Sequence, residues 1–283
     1  MHYSLPQPLI LPMVQAALLE DLGRRADVTS EAVIAAAQTC QLHIVAREQG
    51  VLCGIDLARL SFEAMGVGLA FETKVNDGDV LQRGDIIATV QGNARAILSA
   101  ERTALNFLTH LSGIATTTQQ IQASIAYTQA QVTCTRKTMP GLRVLQKFAV
   151  RVGGGRNHRL GLDDAILIKD NHIALAGGDL SAVIQQAKAY AGHLIPIEIE
   201  VDNLRQLEKV LQEGVSLVLL DNMSVEDLRT AVDMCQGQCQ TEASGGLNPD
   251  TAVIVAETGV DFLAMGYVTH SARYLDIGMD YLD

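Results

Sequence analysis

The hydrophobic and polar positions fall into two regimes, one before and one after about residue 113. In the first, residues 9–22 carry apolar side chains at helical spacing, and Gly23 supplies a stop. Residues 73–90 place short apolar runs around two turn signals, Asn76-Asp77-Gly78-Asp79 and Arg83-Gly84-Asp85, which is hairpin chemistry. A second helix is expected over 100–111, where Leu105, Leu108 and Leu111 form one stripe. Ser99 is placed to cap it and Gly113 to end it. Arg102 then falls in the first turn, where the helix dipole disfavours a cation and an anionic partner is expected; Glu101 is the simplest.

Beyond residue 113 the pattern changes to strand-then-helix units. Strands are expected at 131–135, 165–169, 195–201, 216–221, 240–244 and 261–266. A helix over 203–212 has Leu204, Leu207, Val210 and Leu211 on one face; Ser224 caps the helix over 224–235, and Asn248-Pro249 opens the next. Alternating β and α of this kind implies a parallel sheet, and strand spacings of about 20–30 residues suit a βα-barrel. Catalytic groups of such barrels collect at the C-terminal ends of the strands. Those ends hold Arg136-Lys137, Lys169-Asp170-Asn171-His172, Glu200, Asp221-Asn222, Ser244-Gly245-Gly246 and Gly266, a set of charges and glycine turns that core packing does not require.

Composition narrows the function. Hydrophobic residues make up 48% of the 283 and charged residues 19%, with 4% aromatic residues and no Trp. That suits an aliphatic-rich α/β enzyme better than a base-stacking nucleic-acid binder, and the formal charge of −11 argues against nucleic acid or an anionic membrane as partner. Residues 1–11 lack the basic start and apolar run of a secretory signal, and no run is long enough to span a bilayer. The five cysteines are odd in number and form no C-x-x-C pair, as expected of reduced thiols in a cytoplasmic protein.

The charge is unevenly placed. Residues 136–169 hold eight basic residues against two acidic ones, so the chain is acidic with one basic island, a pattern suited to a small polyanion. Within the island Lys147 and Arg151, four residues apart, are expected on a solvated helix face. Between Ile197 and Val201 the carboxylates of Glu198 and Glu200 alternate with aliphatic side chains and share the opposite face. If that face is the barrel interior, each needs a partner, a metal or water. Glu200, nearer the strand end, is favoured for function; Glu198 is expected to pair with a neighbouring Lys or Arg. The glycines of Ser244-Gly245-Gly246 let backbone N–H groups approach a phosphate ahead of a capped helix. After Gly153-Gly154-Gly155, Arg159 can clamp a carboxylate in bidentate fashion; the alternative is a flexible cap with exposed cations.

These runs resemble the quinolinate phosphoribosyltransferase family. Thr135-Arg136-Lys137-Thr138-Met139-Pro140-Gly141-Leu142-Arg143 is similar to the family signature T-R-K-T-x-P-G-x-R. Asn157-His158-Arg159, Leu167-Ile168-Lys169-Asp170-Asn171-His172, Glu101-Arg102-Thr103-Ala104-Leu105-Asn106 and Leu220-Asp221-Asn222 continue the likeness. It implies an N-terminal α/β sandwich (1–113, rejoined by 270–283) and a C-terminal open α/β-barrel (114–269). It implies decarboxylating phosphoribosyl transfer from phosphoribosyl pyrophosphate to quinolinate, in a cytoplasmic homodimer or higher assembly whose Arg102 completes the partner's site. Arg102, Arg136, His158 and Arg159 would bind the two carboxylates, while Lys137 and Lys169 would neutralise carboxylate or pyrophosphate charge. Glu200 and Asp221 would engage ribose hydroxyls or Mg²⁺, and Ser244, Gly245, Gly246 and Gly266 the 5′-phosphate. Tyr267 departs from the smaller residue expected beside that phosphate. Two other readings are a phosphoribosyltransferase with a different aromatic acceptor, and a non-enzymatic carrier. The likeness of 73–90 to the half-barrel of biotinyl and lipoyl carriers suggests the latter, but no Lys stands at either tip.

Overall fold

A computed structural model describes residues 3–66 and 68–281; Met1 and His2 of the amino-terminal stretch and Leu282 and Asp283 of the carboxy-terminal return lie outside them. The chain divides into two compact units, Met1–Thr117 with Arg151–Gly153 and Ala272–Asp283, and Thr118–Val150 with Gly154–Ser271.

In the first unit, α1 (Gln7–Leu22) ends at Gly23 in a left-handed conformation, as the sequence predicts. Then come α2 (Val28–Val33), β1 (Thr39–Ala46), β2 (Gly50–Val51), α3 (Ile55–Glu63), β3 (Ala70–Thr73), β4 (Val80–Leu81) and β5 (Ile86–Asn93). Both turn signals form: Asp79 accepts from the Asn76 N–H and Asp85 from the Gln82 N–H, with Gly78 and Gly84 at positive φ. The segment they bound is not a simple hairpin, because β3 pairs with β5 while β4 pairs with β2.

The helix predicted over 100–111 is α4 (Ala94–Ser124), which starts and ends well beyond that range. Asn93, rather than Ser99, accepts the N–H of Ala96 in its first turn, and the Ser99 hydroxyl donates to Asp27. Gly113 ends nothing. A Cβ there would lie 2.0 Å from the Arg273 carbonyl oxygen, so this glycine serves close packing within the helix. Arg102 is consequently mid-helix and exposed, and the dipole argument for an anionic partner no longer applies.

The second unit continues through β6 (Gln131–Thr133), α5 (Arg143–Val152), β7 (Ile166–Ile168), α6 (Asp170–Leu175), α7 (Leu180–Tyr190) and β8 (Ile197–Val201). It is completed by α8 (Leu204–Gln212), β9 (Leu217–Asp221), α9 (Val225–Cys235), β10 (Gln240–Ser244), α10 (Pro249–Ala256), β11 (Phe262–Ala264) and α11 (Tyr267–His270). All six expected strands are present, 240–244 with the expected bounds and the other five cut back to their hydrogen-bonded cores. Asn203, Ser224 and Asn248 each accept backbone N–H groups at the helix starts predicted for them. The strands are parallel in the order β6-β11-β10-β9-β8-β7. Among the described residues no ladder joins β7 to β6; a parallel bridge, Thr133 to Arg156, borders the gap, so the barrel is open.

The carboxy-terminal β12 (Ile277–Asp280) pairs antiparallel with β1 in the first unit, giving a four-stranded sheet of order β12-β1-β5-β3. Its core gathers Leu42, Ile44, Val90, Phe62, Leu105 and Leu108. The molecule thus combines an α/β sandwich unit with an open α/β-barrel unit. No described helix is long and apolar enough to cross a membrane, and all five cysteines are free.

Candidate active site

Local geometry explains how the barrel unit presents its charges. Arg136 and Lys137 follow β6, where Thr135 Oγ1 accepts the Lys137 N–H and the Thr269 hydroxyl donates to the Lys137 carbonyl. The triglycine run is not a flexible cap. A Cβ on Gly155 would come within 2.8 Å of Thr118 and 2.9 Å of Val150, so its absence lets the following residues lie alongside β6. The Arg156 N–H donates to the Val132 carbonyl and the Arg156 carbonyl accepts from the Cys134 N–H, carrying His158 and Arg159 up beside the strand.

At the C-terminal strand ends these residues enclose a cavity of about 480 Å³. Arg136, Lys137, Arg159 and Lys169 line it against the carboxylates of Glu200 and Asp221, an excess of cations. Lys169 and Glu200 form an ion pair. Asp221 accepts from the Asn222 amide at 2.6 Å, and Asn222 adopts the left-handed conformation that asparagine tolerates. Beyond it Ser244, Gly245 and Gly246 complete the wall. Gly245 has φ +105, and a Cβ there would strike Asn222 Oδ1 at 2.3 Å. Two consecutive glycines thereby leave backbone N–H groups uncovered ahead of α10, whose Asn248–Thr251 capping box fixes its start.

The two arginines are the most telling pair. Arg136 Nε and Arg159 Nε are buried and have no hydrogen-bond partner among the described residues. Burial, and then the Arg136 charge, push the Arg159 guanidinium below its ordinary value. Two crowded cations with orphaned donors are costly unless an anion joins them.

His158 is placed differently from a clamp residue. Its ring lines the cavity, but Nε2 is 2.8 Å from Glu198 Oε2, and Nδ1 accepts the Arg159 N–H at 2.8 Å. Burial opposes the charged ring, yet the Glu198 hydrogen bond and the Glu242 charge outweigh it and raise its pKa. The charged ring would also need a proton on Nδ1, which the Arg159 N–H blocks at 2.8 Å, so this hydrogen-bond geometry overrides the pull of the two carboxylates and selects the neutral Nε2–H tautomer. Both ring nitrogens are thereby engaged by the protein. Glu198 pairs with this histidine, not with the Lys or Arg expected from sequence.

Other expected residues lie elsewhere. Arg102 belongs to the first unit and is not among the residues lining the cavity. Gly266 lies beneath Lys137, where a Cβ would meet the lysine stem at 2.9 Å, and neither it nor Tyr267 lines the cavity. Lys147 is the clearest departure from the sequence reading. Instead of sharing a solvated face with Arg151 it is 1% exposed, donating to the His158 carbonyl at 2.8 Å and to Cys134 Sγ at 3.0 Å. Glu242, on β10, escaped notice altogether. The available signal was parity: two residues before Ser244, it must face the same interior. Burial pushes its carboxyl up to about 7, with the Glu198 charge adding to the shift.

A phosphoribosyltransferase of the barrel type is the class that this fold and cavity define, and the comparisons with known proteins agree. The family described as quinolinate phosphoribosyl transferase matches in both parts, the N-terminal domain over residues 27–112 and the C-terminal domain over 114–280. The nicotinate-nucleotide pyrophosphorylase [carboxylating] of Mycobacterium leprae (strain TN) is 47% identical over 272 residues, covering 94% of this chain and 95% of its own. A probable enzyme of the same name from Bacillus subtilis (strain 168) is 39% identical, over 93% of this chain and 90% of its own. The solved structure of NadC from Streptococcus pyogenes superposes with a TM-score of 0.93 at 38% identity, covering 99% of each chain. The chain belongs to the quinolinate phosphoribosyltransferase family.

Proposed function

We propose that the chain transfers the phosphoribosyl group of phosphoribosyl pyrophosphate to quinolinate with loss of CO₂, yielding nicotinate mononucleotide and pyrophosphate for NAD biosynthesis. The observation that carries this reading is the Arg136–Arg159 pair, two guanidiniums with unpartnered buried nitrogens in a cation-rich cavity. A dicarboxylate is the small anion that satisfies both. Family membership supplies the rest.

The pyridine nitrogen attacks the anomeric carbon as the bond to pyrophosphate breaks, and the bonding pair leaves with pyrophosphate. The ring is then a pyridinium. Loss of the adjacent carboxylate as CO₂ leaves an electron pair on carbon next to that positive nitrogen, and a proton replaces it. Enzyme side chains need form no covalent bond; they position and neutralise. Arg136 and Arg159 hold the carboxylates, with Lys137 beside them. Lys169, steadied by Glu200, meets pyrophosphate charge. Asp221 and Glu200 face the ribose and the positive charge that develops at its anomeric carbon, while Ser244 and the N–H groups of Gly245 and Gly246 take the 5′-phosphate.

Glu200 and Asp221 also fit Mg²⁺, since they bring hard carboxylate oxygens to the ends of neighbouring strands in the same cavity. Bound there, Mg²⁺ would offset the charge of the leaving pyrophosphate. Arg102 belongs to the same reading as a residue lent to a partner copy in a cytoplasmic homodimer, consistent with its exposed place on α4.

Quinolinate-dependent release of CO₂ and pyrophosphate, with phosphoribosyl pyrophosphate and Mg²⁺ supplied, tests the reaction. Equal amounts of both are expected. Binding of phosphoribosyl pyrophosphate without turnover would move the acceptor to another ring acid.

A further inference from the structure

Beneath the cavity floor lies a group of side chains that the reaction, as derived above, does not use. Glu198 on β8 and Glu242 on β10 are each 3% exposed inside the barrel. They do not line the active-site cavity. Both face a second cavity of about 450 Å³, which is bordered by the first residues of the strands and shares only His158 and Arg159 with the first. The hydroxyl of Thr133 donates to Glu242 Oε1 at 2.6 Å. His158 Nε2–H donates to Glu198 Oε2 at 2.8 Å, and Arg159 N–H donates to His158 Nδ1 at 2.8 Å. Lys147 holds the His158 carbonyl from another side. Hydrogen bonds therefore run from Glu198 on β8 through the His158 ring to the backbone N–H of Arg159, with Glu242, held by Thr133, beside them.

We propose that the buried Glu198–Glu242 pair is the positioning element of the anion clamp, fixing His158 and, through it, Arg159 in register with Arg136. This rests on the function proposed above and deepens it. One unexplained atom supports the assignment: Glu198 Oε1 is buried without a donor among the described residues. A single proton carried by Glu242 supplies that donor and removes the repulsion between two buried carboxylates. Glu242 thus acts as a neutral acid, and the role of Glu198 is to accept from His158. The same three side chains bring ligand atoms within 4.8 Å of one another, the spacing of a metal site. A metal would need the lone pair of His158 Nε2, where the Arg159 N–H at Nδ1 requires a proton instead.

The test uses the full chain and two calorimetric titrations, one with quinolinate and one with phosphoribosyl pyrophosphate, together with the ¹⁵N signature of the His158 tautomer. Glu198→Ala is expected to weaken quinolinate binding by about tenfold or more while phosphoribosyl pyrophosphate binding stays within about twofold. The Nε2–H signature of His158 should be lost with it. Glu242→Gln, whose amide can both accept from Thr133 and donate to Glu198, should keep quinolinate affinity and the tautomer signature. Should Glu198→Ala fail to fold, Glu242→Leu, which removes the donor and keeps the bulk, should reproduce its effects. A folded Glu198→Ala or Glu242→Leu chain with unchanged quinolinate affinity overturns the proposal. So does a Glu242→Gln chain as impaired as Glu242→Leu, or stoichiometric Zn²⁺ retained by the native chain and lost on Glu242→Gln. The tautomer signature is read without ligand, so failure of native protein to bind quinolinate would count against the proposed reaction and leave this test standing.

Discussion

The mouth of the barrel and its interior are charged in opposite senses. At the strand ends Arg136, Lys137, Arg159 and Lys169 outnumber the carboxylates around one cavity. In the interior Glu198 and Glu242 lie buried on the strands, with Lys147 buried at the edge of the same network. The two regions meet at a single dipeptide, His158-Arg159. At the mouth Arg136 Nε and Arg159 Nε lack a protein partner among the described residues, whereas the interior carboxylates are held by Thr133 and His158. The difference separates groups that bind from groups that hold binding groups in place, and it can be broken from either side.

The largest effect is expected at the mouth. Arg136→Ala removes an orphaned donor that only bound anion can use, so it should lower kcat/KM by about 3–4 kcal/mol of transition-state stabilisation while stability changes little. Steady-state kinetics beside a thermal melt check this. A near-normal kcat/KM would remove Arg136 from the clamp.

An interior change should do the reverse. Lys147→Ala empties a fully buried site and releases the His158 carbonyl and Cys134, and should cost about 3 kcal/mol of folding stability. Denaturant unfolding measures it. A loss under about 1 kcal/mol would mean that the interior relaxes around the missing side chain, and that the opposition of mouth and interior is weaker than drawn here.

The third effect is pH-dependent and smaller. Glu242 keeps its proton in the folded chain up to about pH 7, whereas an unfolded glutamate loses it near 4.5. Between those values the native state binds a proton that the unfolded state has released, so stability should fall as pH rises across the window. Below 4.5 both states are protonated and the contribution is flat. Glu242→Gln should remove the decline, a difference on the order of 2 kcal/mol between pH 5 and pH 8. Parallel pH profiles for the two chains would refute this. Asp77 in the first unit, pushed up to about 6 by burial despite the lowering hydrogen bonds from the N–H groups of Gly54 and Ile55, gives a separate decline at lower pH that both chains share.

Much of this was legible in the sequence because strand ends announce themselves. A charge or a glycine pair after a short aliphatic run located Arg136, Lys169, Glu200, Asp221 and Gly245 before any coordinates, and all of them line one cavity. What escaped depends on packing that no local pattern encodes. Gly113 reads as a helix stop unless the Arg273 backbone is known to press against it. His158 lines the cavity, yet its sequence context does not show that its ring nitrogens also engage Glu198 and the Arg159 N–H. Glu242 shares its face with Ser244, yet a lone Glu on a strand gives no hint that its partner is another carboxylate two strands away.

The smallest effect tests the sharpest local failure of pattern. Lys147 and Arg151 are four residues apart on α5, chemically alike and equivalent to any helical-wheel reading. Their fates diverge because, after half-buried Arg143 and Val144, residues 145–150 are buried without a break, and only Arg151 beyond them is exposed. Arg151→Ala should therefore change stability by less than about 0.5 kcal/mol and leave kcat/KM alone, against the large loss at Lys147. The two variants share one helix and one lost charge, so propensity and net charge cancel between them. If Arg151→Ala proved as costly as Lys147→Ala, the basic island would act through its overall charge, and burial would not be what separates its members.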